Sequence, residues 1–234
     1  MVRARILLAI IVSMVPMRCV RHILYRTFFR YRIAKEAKIG FMSLIAVDSA
    51  EIGAASIGMF NKFLGPYHLR IGAGASIGKS NEISCGAWVT ENKFDCEDYA
   101  RSCEIGDGCV VTSFHFIDST GGFVLGDHSW IAGYQSQFWT HGIGVKDRSI
   151  SIGSNCYVGS ASRFAPGSSI GNDNIVGLGS VVVGNYNVEG ALIAGVPAKV
   201  LDANYKWRTR LSHSAISTGM STRSEPSALG DESC

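Results

Sequence analysis

Hydrophobic residues recur at every sixth position along the second half of the chain, from Ile152 to Ala194. Glycine directly follows many of these positions, as at Gly159 and Gly177. A period of six fits neither an α-helix, with 3.6 residues per turn, nor a flat strand, with a period of two. It predicts a coil in which each unit supplies one short strand with its first residue inward and one corner that suits glycine. The predicted inward residues are Ile152, Val158, Phe164, Ile170, Val176, Val182, Val188 and Ala194.

The same period extends toward the amino terminus, with interruptions. Three units would complete one turn of a triangular parallel β-helix, about 18 residues long. Residues 59–70, 90–104 and 142–151 interrupt the period, and such excursions from a solenoid often carry function. The earlier units are predicted to begin at Ile33, Ile39, Ile45, Ile52, Ile71, Ile77, Ile83, Val89, Ile105, Val111, Ile117, Leu125, Ile131 and Gln137.

Residues 1–32 do not share this period. An apolar run, Ile6–Val15, ends at Pro16 and is shorter than the roughly 20 residues that a membrane-spanning helix needs. A basic segment with apolar residues at helical spacing follows it. We predict two helices over residues 1–32, which either lie at a membrane interface or pack on the solenoid as its cap.

The rest of the chain divides by composition. Residues 33–200 are predicted to form the β-helix and residues 201–211 a short helix. Residues 212–234 contain seven serines and almost no large apolar side chains, so we predict a disordered tail.

The distribution of charge and the cysteine content indicate the cellular compartment and the type of surface that the protein contacts. Residues 1–38 carry nine Lys/Arg and one acidic residue, whereas the remainder has a net charge of −5. This basic segment favours an anionic surface such as a membrane as partner, although a solvated basic helix would look the same. The seven cysteines include no CxxC pair, which favours a reducing compartment without disulfides or a zinc site. We therefore expect a cytoplasmic protein that either is free or lies at the inner face of the membrane.

Several stretches together resemble a known family. They are Leu125-Gly-Asp-His-Ser-Trp, Gln137-Phe-Trp-Thr-His-Gly, Ile152-Gly-Ser-Asn-Cys-Tyr-Val-Gly, and the closing Ala194-Gly-Val-Pro-Ala-Lys. The sequence resembles the hexapeptide-repeat acyltransferases, especially the maltose/galactoside/Nod-factor acetyltransferase group and the polysaccharide O-acetyltransferases. The resemblance implies an all-β solenoid, a left-handed parallel β-helix, that binds acetyl-CoA as donor substrate and assembles as a homotrimer with its sites between subunits.

The resemblance also assigns candidate catalytic residues. His141 falls on the catalytic histidine of the family, where a base would take the proton of an attacking hydroxyl. His115, about one coil earlier, stands where relatives place a polar residue, often Asn, so it is a second catalytic candidate that would bind acceptor or share the base role. Both could instead be structural or surface histidines.

Substrate-binding residues are assigned less directly. Trp139 and Phe138 would form a wall for a sugar ring or the pantetheine arm, with core packing as the alternative. Asp118 is assigned to acceptor binding or to the orientation of a histidine. The predicted CoA contacts are Gly159, Ser160, Ala161, Gly179, Ser180 and Lys199, with Arg208 or Arg210 as further phosphate ligands.

These assignments predict an acetyl-CoA-dependent O-acetyltransferase. Its acceptor would be a sugar hydroxyl in the biosynthesis of a surface polysaccharide such as capsule, O-antigen or exopolysaccharide, with direct transfer and no bound metal. N-acetylation of an amino-sugar is a close alternative. A zinc enzyme like the γ-carbonic anhydrases, using His115, His128 and His141, and a non-catalytic scaffold are the more distant ones.

Overall fold

The computed structural model describes residues 2–90 and 99–207. Two helices, α1 (Val2–Ser13) and α2 (Arg18–Phe28), precede the strands, and a short 3-10 helix spans Ala87–Thr90. The strands are β1 (Arg32–Ile33), β2 (Lys38–Ile39), β3 (Leu44–Ile52), β4 (Ser56–Ile57), β5 (Lys62–Ile71), β6 (Ser76–Ile77), β7 (Glu82–Ser84), β8 (Ser102–Ile105), β9 (Val110–Val111), β10 (Phe116–Asp118), β11 (Phe123–Leu125), β12 (Trp130–Ile131), β13 (Gln137–Phe138), β14 (Ile150–Ile152), β15 (Tyr157–Val158), β16 (Arg163–Phe164), β17 (Ser169–Ile170), β18 (Ile175–Val176), β19 (Val181–Val182), β20 (Asn185–Tyr186), β21 (Leu192–Gly195) and β22 (Ala198–Asp202).

The strands stack in parallel on three faces. The first face contains β1, the second halves of β3 and β5, and then β8, β11, β14, β17 and β20. The second face contains β2, β4, β6, β9, β12, β15, β18 and β21, with β22 antiparallel at its edge. The third face contains the first halves of β3 and β5, and then β7, β10, β13, β16 and β19. The chain visits the faces in this order, which confirms the predicted parallel β-helix.

The inward residue of each short strand forms the core, as the period predicts. Ile152 pairs with Ile170 and Val158 with Val176 in register, and all four side chains are buried. Because each strand contributes one buried residue per coil, apolar side chains stack in three continuous columns inside the solenoid. This dry core holds the faces together through burial of apolar surface.

Three predicted inward positions are wrong. Phe138 is buried in place of Gln137, because one extra residue separates it from Ile131 on the preceding strand. Tyr186 and Ile193, rather than Val188 and Ala194, pair with Ile170 and Val176, since the last coil is shorter than the others. The period therefore fails at the carboxyl end of the run that looked most regular in the sequence.

The segment 59–70 is also not an excursion. Strand β5 runs through it without a break and pairs with β3, so the chain turns from the third face to the first within one strand. Phe63, Tyr67 and Leu69 are buried there. Within the other two predicted interruptions, residues 102–104 belong to β8 and residues 150 and 151 to β14.

Glycine after the inward residue serves close stacking of the coils rather than an unusual backbone angle. A Cβ atom at Gly159 would lie 2.7 Å from the backbone nitrogen of Leu178 in the next coil, which is too close for any side chain. Positive φ angles occur two residues further on and are often taken by other residue types, such as Ala161 with φ 56°. The predicted role of glycine at the corners is therefore corrected.

The two helices close one end of the solenoid. Ala9 and Val12 of α1 and Tyr25 of α2 are buried against the first coils. Buried Arg21 donates to the carbonyls of Val15, Pro16 and Ile39 (2.6 Å for the last), which satisfies backbone groups at the solenoid end. The predicted pair of helices is thus observed as a cap. Within the part of the chain that the structure describes, no helix is long and apolar enough to cross a membrane.

The carboxyl end departs from its prediction. Leu201 and Asp202 complete strand β22, so the helix predicted over residues 201–211 does not begin at residue 201. Residues 208–234, including Arg208, Arg210 and the predicted tail, lie outside the described residues.

Candidate active site

The site lies at the corner between the third and first faces, which we call the third corner. The excursion after β7 and the excursion after β13 both leave the coil at this corner. The coil between them turns there without an excursion, through Asp118–Gly122. Three successive coils therefore bring residues that are distant in the sequence to one place.

His141 reaches the surface by strand alternation. Phe138 and Thr140 are fully buried, whereas Trp139 has an exposed fraction of 41% and the His141 side chain one of 38%. Successive side chains of an extended segment point to opposite sides. His141 is thus held at the root of the second excursion, beside the corner of the preceding coil.

Asp118 anchors this histidine. His141 Nδ1 lies 2.6 Å from Asp118 Oδ2, and the Asp118 side chain is only 4% exposed. The same carboxylate oxygen accepts from the Thr140 amide (2.9 Å) and hydroxyl (2.8 Å), and Oδ1 accepts from the Thr120 amide (3.0 Å). The carboxylate is therefore fixed from both sides and fixes the imidazole in turn.

This geometry keeps Asp118 ionised and selects the tautomer of His141. Burial alone would raise the pKa of the Asp118 carboxyl, but hydrogen bonds from Thr120, His141 and Thr140 lower it below its usual value. An ionised carboxylate can only accept, so His141 Nδ1 carries the proton that faces it. The lone pair of neutral His141 is then on Nε2, which has no hydrogen-bond partner among the described residues. A base oriented by a buried carboxylate is a recurring arrangement in group transfer.

An open cleft of about 730 Å³ lies in front of His141. Aromatic rings form one side of it: Trp88 lies 5.5 Å from the His141 ring and 5.4 Å from Tyr99, measured between ring centroids. The guanidinium of Arg148 lies 4.4 Å from the centre of the Tyr99 ring. Residues Gly142–Lys146 also line the cleft. Such a cleft offers aromatic contact area for a ring-shaped ligand next to a base.

The predicted catalytic residue His115 does not belong to this site. It is 2% exposed and lies at the corner between the second and third faces, which we call the second corner. Its Nδ1 accepts from the Ser136 amide (3.1 Å), and its Nε2 lies 2.8 Å from Thr112 Oγ1. Burial lowers the pKa of His115 to about 4, so the ring is neutral near pH 7. Both nitrogens of His115 are thus occupied inside the solenoid, away from the cleft in front of His141.

His115 is one member of a column of inward-pointing polar residues that links the coils at the second corner. Asn61 Oδ1 accepts from the Asn81 amide and Asn81 Oδ1 from the His115 amide, both at 2.9 Å. The column consists of Ser43, Asn61, Asn81, His115, Ser136, Ser162 and Ser180, all of them buried. These side chains form hydrogen bonds with amides and carbonyls of the corner that are not paired between the strands of the three faces.

The two residues of the predicted aromatic wall lie in different environments. Phe138 is fully buried between Phe123 (5.1 Å) and Phe164 (5.0 Å), so it cannot contact a substrate. Trp139 is exposed on the third face, where it packs on Phe116 with 4.6 Å between ring centroids. It does not line the cleft in front of His141 within one chain. Asp118, assigned either to acceptor binding or to the orientation of a histidine, is buried and contacts His141.

The predicted CoA contacts cluster at a different corner from His141. Gly159, Ser160, Ala161, Gly179 and Ser180 lie at the second corner, and Lys199 is exposed on β22. Their backbone amides are already used: the Ala161 amide donates to Tyr134 and the Gly179 amide to Ser160, both at 2.8 Å. Ser180 is fully buried, and its hydroxyl donates to Gly177. One copy of the chain therefore does not bring these residues to His141.

The three histidines considered as zinc ligands do not meet. His115 is buried with both nitrogens occupied, His141 is bound to Asp118, and His128 is exposed at the corner between the first and second faces. Among the described residues, no three metal-ligating side chains come together. The cysteines at positions 85, 103, 109 and 156 are buried, and burial raises the pKa of each thiol.

The sequence did not point to Trp88, Tyr99, Thr140 or Arg148. Trp88 lies just before the interruption at 90–104 and Tyr99 lies within it, so the break in the period was the available signal. Thr140 could have been found from its position between the buried Phe138 and His141, but its contact with Asp118 depends on the stacking of coils. Residues 91–98 of that interruption lie outside the described residues.

No protein-family model matches the sequence, and no curated protein matches it. The chain does match solved structures. The chain is similar to the UDP-N-acetylglucosamine acyltransferase from Campylobacter jejuni, with 18% identity and a TM-score of 0.45 over 78% of this chain and 73% of that one. It is similar to the polysialic acid O-acetyltransferase OatWY, with 17% identity and a TM-score of 0.37 over 74% and 84%. It is also similar to a maltose O-acetyltransferase from Clostridium difficile 630, with 14% identity and a TM-score of 0.37 over 86% and 85%. All three of those proteins are acyltransferases.

Proposed function

We propose that this protein transfers an acetyl group from acetyl-CoA to a hydroxyl group of a carbohydrate, with His141 as general base. The observation that carries the proposal is the 2.6 Å contact between His141 Nδ1 and the buried Asp118 carboxylate, which leaves Nε2 free at an open cleft. A neutral imidazole held in this tautomer presents the lone pair of Nε2 toward the cleft. The sequence resemblance supplies the donor and the acceptor class.

The reaction follows from these positions. His141 Nε2 takes the proton of the acceptor hydroxyl as the oxygen attacks the thioester carbonyl of acetyl-CoA. A tetrahedral intermediate forms, its C–S bond breaks, and the protonated His141 returns the proton to the leaving CoA thiolate. The Asp118 carboxylate stabilises the imidazolium that exists between the two proton transfers. Acetyl transfer is complete without an acyl-enzyme, since both substrates are bound together.

The acceptor is proposed to be a sugar because of the cleft walls. Trp88 and Tyr99 present large aromatic surfaces next to His141. A pyranose ring has apolar C–H faces that can pack on aromatic rings while its hydroxyls remain available to a base. The resemblance to polysaccharide O-acetyltransferases further favours an acceptor in surface polysaccharide assembly.

The separation of the two corners supports a homotrimer. His141 lies at the third corner, whereas the positions assigned to CoA lie at the second corner on the other side of the third face. A neighbouring copy that packs its second corner against the third corner would complete the site. The exposed Trp139 on the third face would then lie in the groove between two copies.

The proposal is tested by release of CoA from acetyl-CoA in the presence of a panel of sugars and oligosaccharides. Replacement of a general base lowers the rate by about 10² to 10⁴, so His141→Ala should lose nearly all turnover. His128→Ala is the matched control, because it removes an exposed histidine that does not line the cleft. If the wild type neither binds nor turns over any acyl-CoA, or if His141→Ala remains as active as His128→Ala, the proposal fails.

A further inference from the structure

The capped end of the solenoid presents an apolar stripe that none of the described residues covers. Leu7 (60% exposed), Ile10 (40%) and Ile11 (57%) lie on a single face of α1, and Met14 (55%), directly after the helix, continues their spacing. The opposite face of α1, with Ala9 and Val12, is the one buried on the solenoid. Exposed large apolar side chains gathered on one face, rather than scattered, mark an interaction surface.

Helix α2 presents basic residues at the same end. Arg26 and the apolar Ile23 (58% exposed) lie on the side of α2 that faces away from the buried Arg21 and Tyr25, and Arg30, just after the helix, is exposed too. Arg18 at the start of α2 is exposed as well.

These charges have no acidic counterpart. The first acidic residue in the whole sequence is Glu36, which follows both helices. Among the described residues, none of Arg18, Arg26 and Arg30 lies within ion-pair distance of a carboxylate. The outer side of the cap, which we call the cap surface (Leu7, Ile10, Ile11, Met14, Arg18, Ile23, Arg26 and Arg30), is therefore both apolar and cationic.

We propose that the cap surface binds the face of an anionic phospholipid bilayer. Apolar side chains would enter the boundary between headgroups and acyl chains, and the arginines would contact the phosphates. Charge complementarity favours this occupant over a second copy of the chain, because two cap surfaces in contact would bring their unpaired arginines together. The solenoid would then stand end-on, with His141 several coils away from the lipid. This inference goes beyond the proposed function and does not depend on it.

The test is co-sedimentation of the full-length protein with lipid vesicles. Wild type should bind vesicles that contain about one third phosphatidylglycerol in phosphatidylcholine, bind pure phosphatidylcholine much less, and dissociate with added salt. The triple variant Leu7→Ser, Ile10→Ser, Ile11→Ser should lower the partition coefficient by at least about tenfold. Arg18→Gln, Arg26→Gln, Arg30→Gln should remove the preference for anionic vesicles.

The controls separate lipid binding from loss of structure and from self-association. Val183→Ser with Leu201→Ser replaces apolar residues that are equally exposed (54% and 63%) but lie on the solenoid, so vesicle binding should be unchanged. Because the altered side chains are exposed, thermal unfolding of all variants should match the wild type. The inference is overturned if wild type does not bind anionic vesicles or if the triple serine variant binds as well as wild type. It is equally overturned if light scattering shows that this variant breaks an assembly present in the wild type, which would assign the stripe to a second copy.

Discussion

His141 and His115 show how differently two histidines can be used in one repeat. Both occur in units with similar apolar neighbours, and the sequence made both catalytic candidates. In the structure, His141 sits where the chain leaves the coil, with one nitrogen bound to Asp118 and the other free. His115 lies inside a corner, in a column that asparagine and serine occupy in the other coils. The two histidines differ in the burial of their side chains, and the six-residue period of a single sequence does not show this difference.

The buried state of His115 has a consequence for stability. Its pKa is lowered to about 4 by burial, whereas an unfolded histidine has a pKa near 6.5. Between these values the unfolded chain binds more protons than the folded one, so the free energy of unfolding falls as the pH is lowered from about 6.5 toward 4. The two pKa values correspond to a loss of roughly 3 kcal/mol at pH 4.

His115→Asn removes the titrating group and keeps a polar side chain in the column. We expect the pH dependence of its free energy of unfolding, measured by denaturant titration from pH 7 to pH 4, to be shallower than that of the wild type. His128→Asn is the control, since His128 is exposed. Equal pH dependence of the His115 variant and the wild type would show that His115 titrates normally.

At the scale of the strand, the sequence predicted most of the coil but not every register. The columns of Ile, Val and Leu were correct wherever two inward residues are six positions apart. They were wrong at Gln137 because the second corner holds one extra residue between Ile131 and Phe138, and wrong at Val188 and Ala194 because the last coil is short. A residue added or removed at a corner leaves the strands themselves unchanged. It is detected only from which residue of the next strand points inward.

Phe138 and Trp139 test this register directly. Phe138 is stacked inside the core with Phe123 and Phe164, so Phe138→Ala should lower the free energy of unfolding by about 3 to 5 kcal/mol. Trp139→Ala alters an exposed side chain and should cost about 1 kcal/mol or less. Chemical denaturation of both variants gives the comparison. A larger loss for Trp139→Ala than for Phe138→Ala would contradict the observed register.

At the scale of the whole molecule, the cleft walls were beyond prediction. Trp88 and Tyr99 belong to an excursion from an earlier coil and meet His141 only because the coils stack. The cap was anticipated as one of two alternatives, and its contacts through Arg21 and Tyr25 are visible only in three dimensions. That the predicted CoA positions and His141 lie at two different corners is likewise visible only in the three-dimensional structure.

That division predicts complementation between subunits. His141→Ala lacks the base, and Leu178→Glu places an acidic side chain beside Gly179 on the surface assigned to the anionic donor. We expect each variant to be inactive alone, but a mixture unfolded and refolded together to regain part of the activity, because some sites would combine two intact corners. Light scattering should give the mass of three chains. A monomer that is active, or a mixture that stays inactive while trimers form, would contradict the composite site.

The most direct test of the central claim is a double-variant cycle on His141 and Asp118, with the rate of CoA release as the measurement. If Asp118 acts by orienting His141, Asp118→Asn alone should lower kcat by roughly 10² or more with little change in KM for acetyl-CoA. In the His141→Ala background, Asp118→Asn should then have almost no further effect. The account is contradicted if the two losses simply multiply, or if His141→Ala retains wild-type kcat while folded as judged by thermal unfolding.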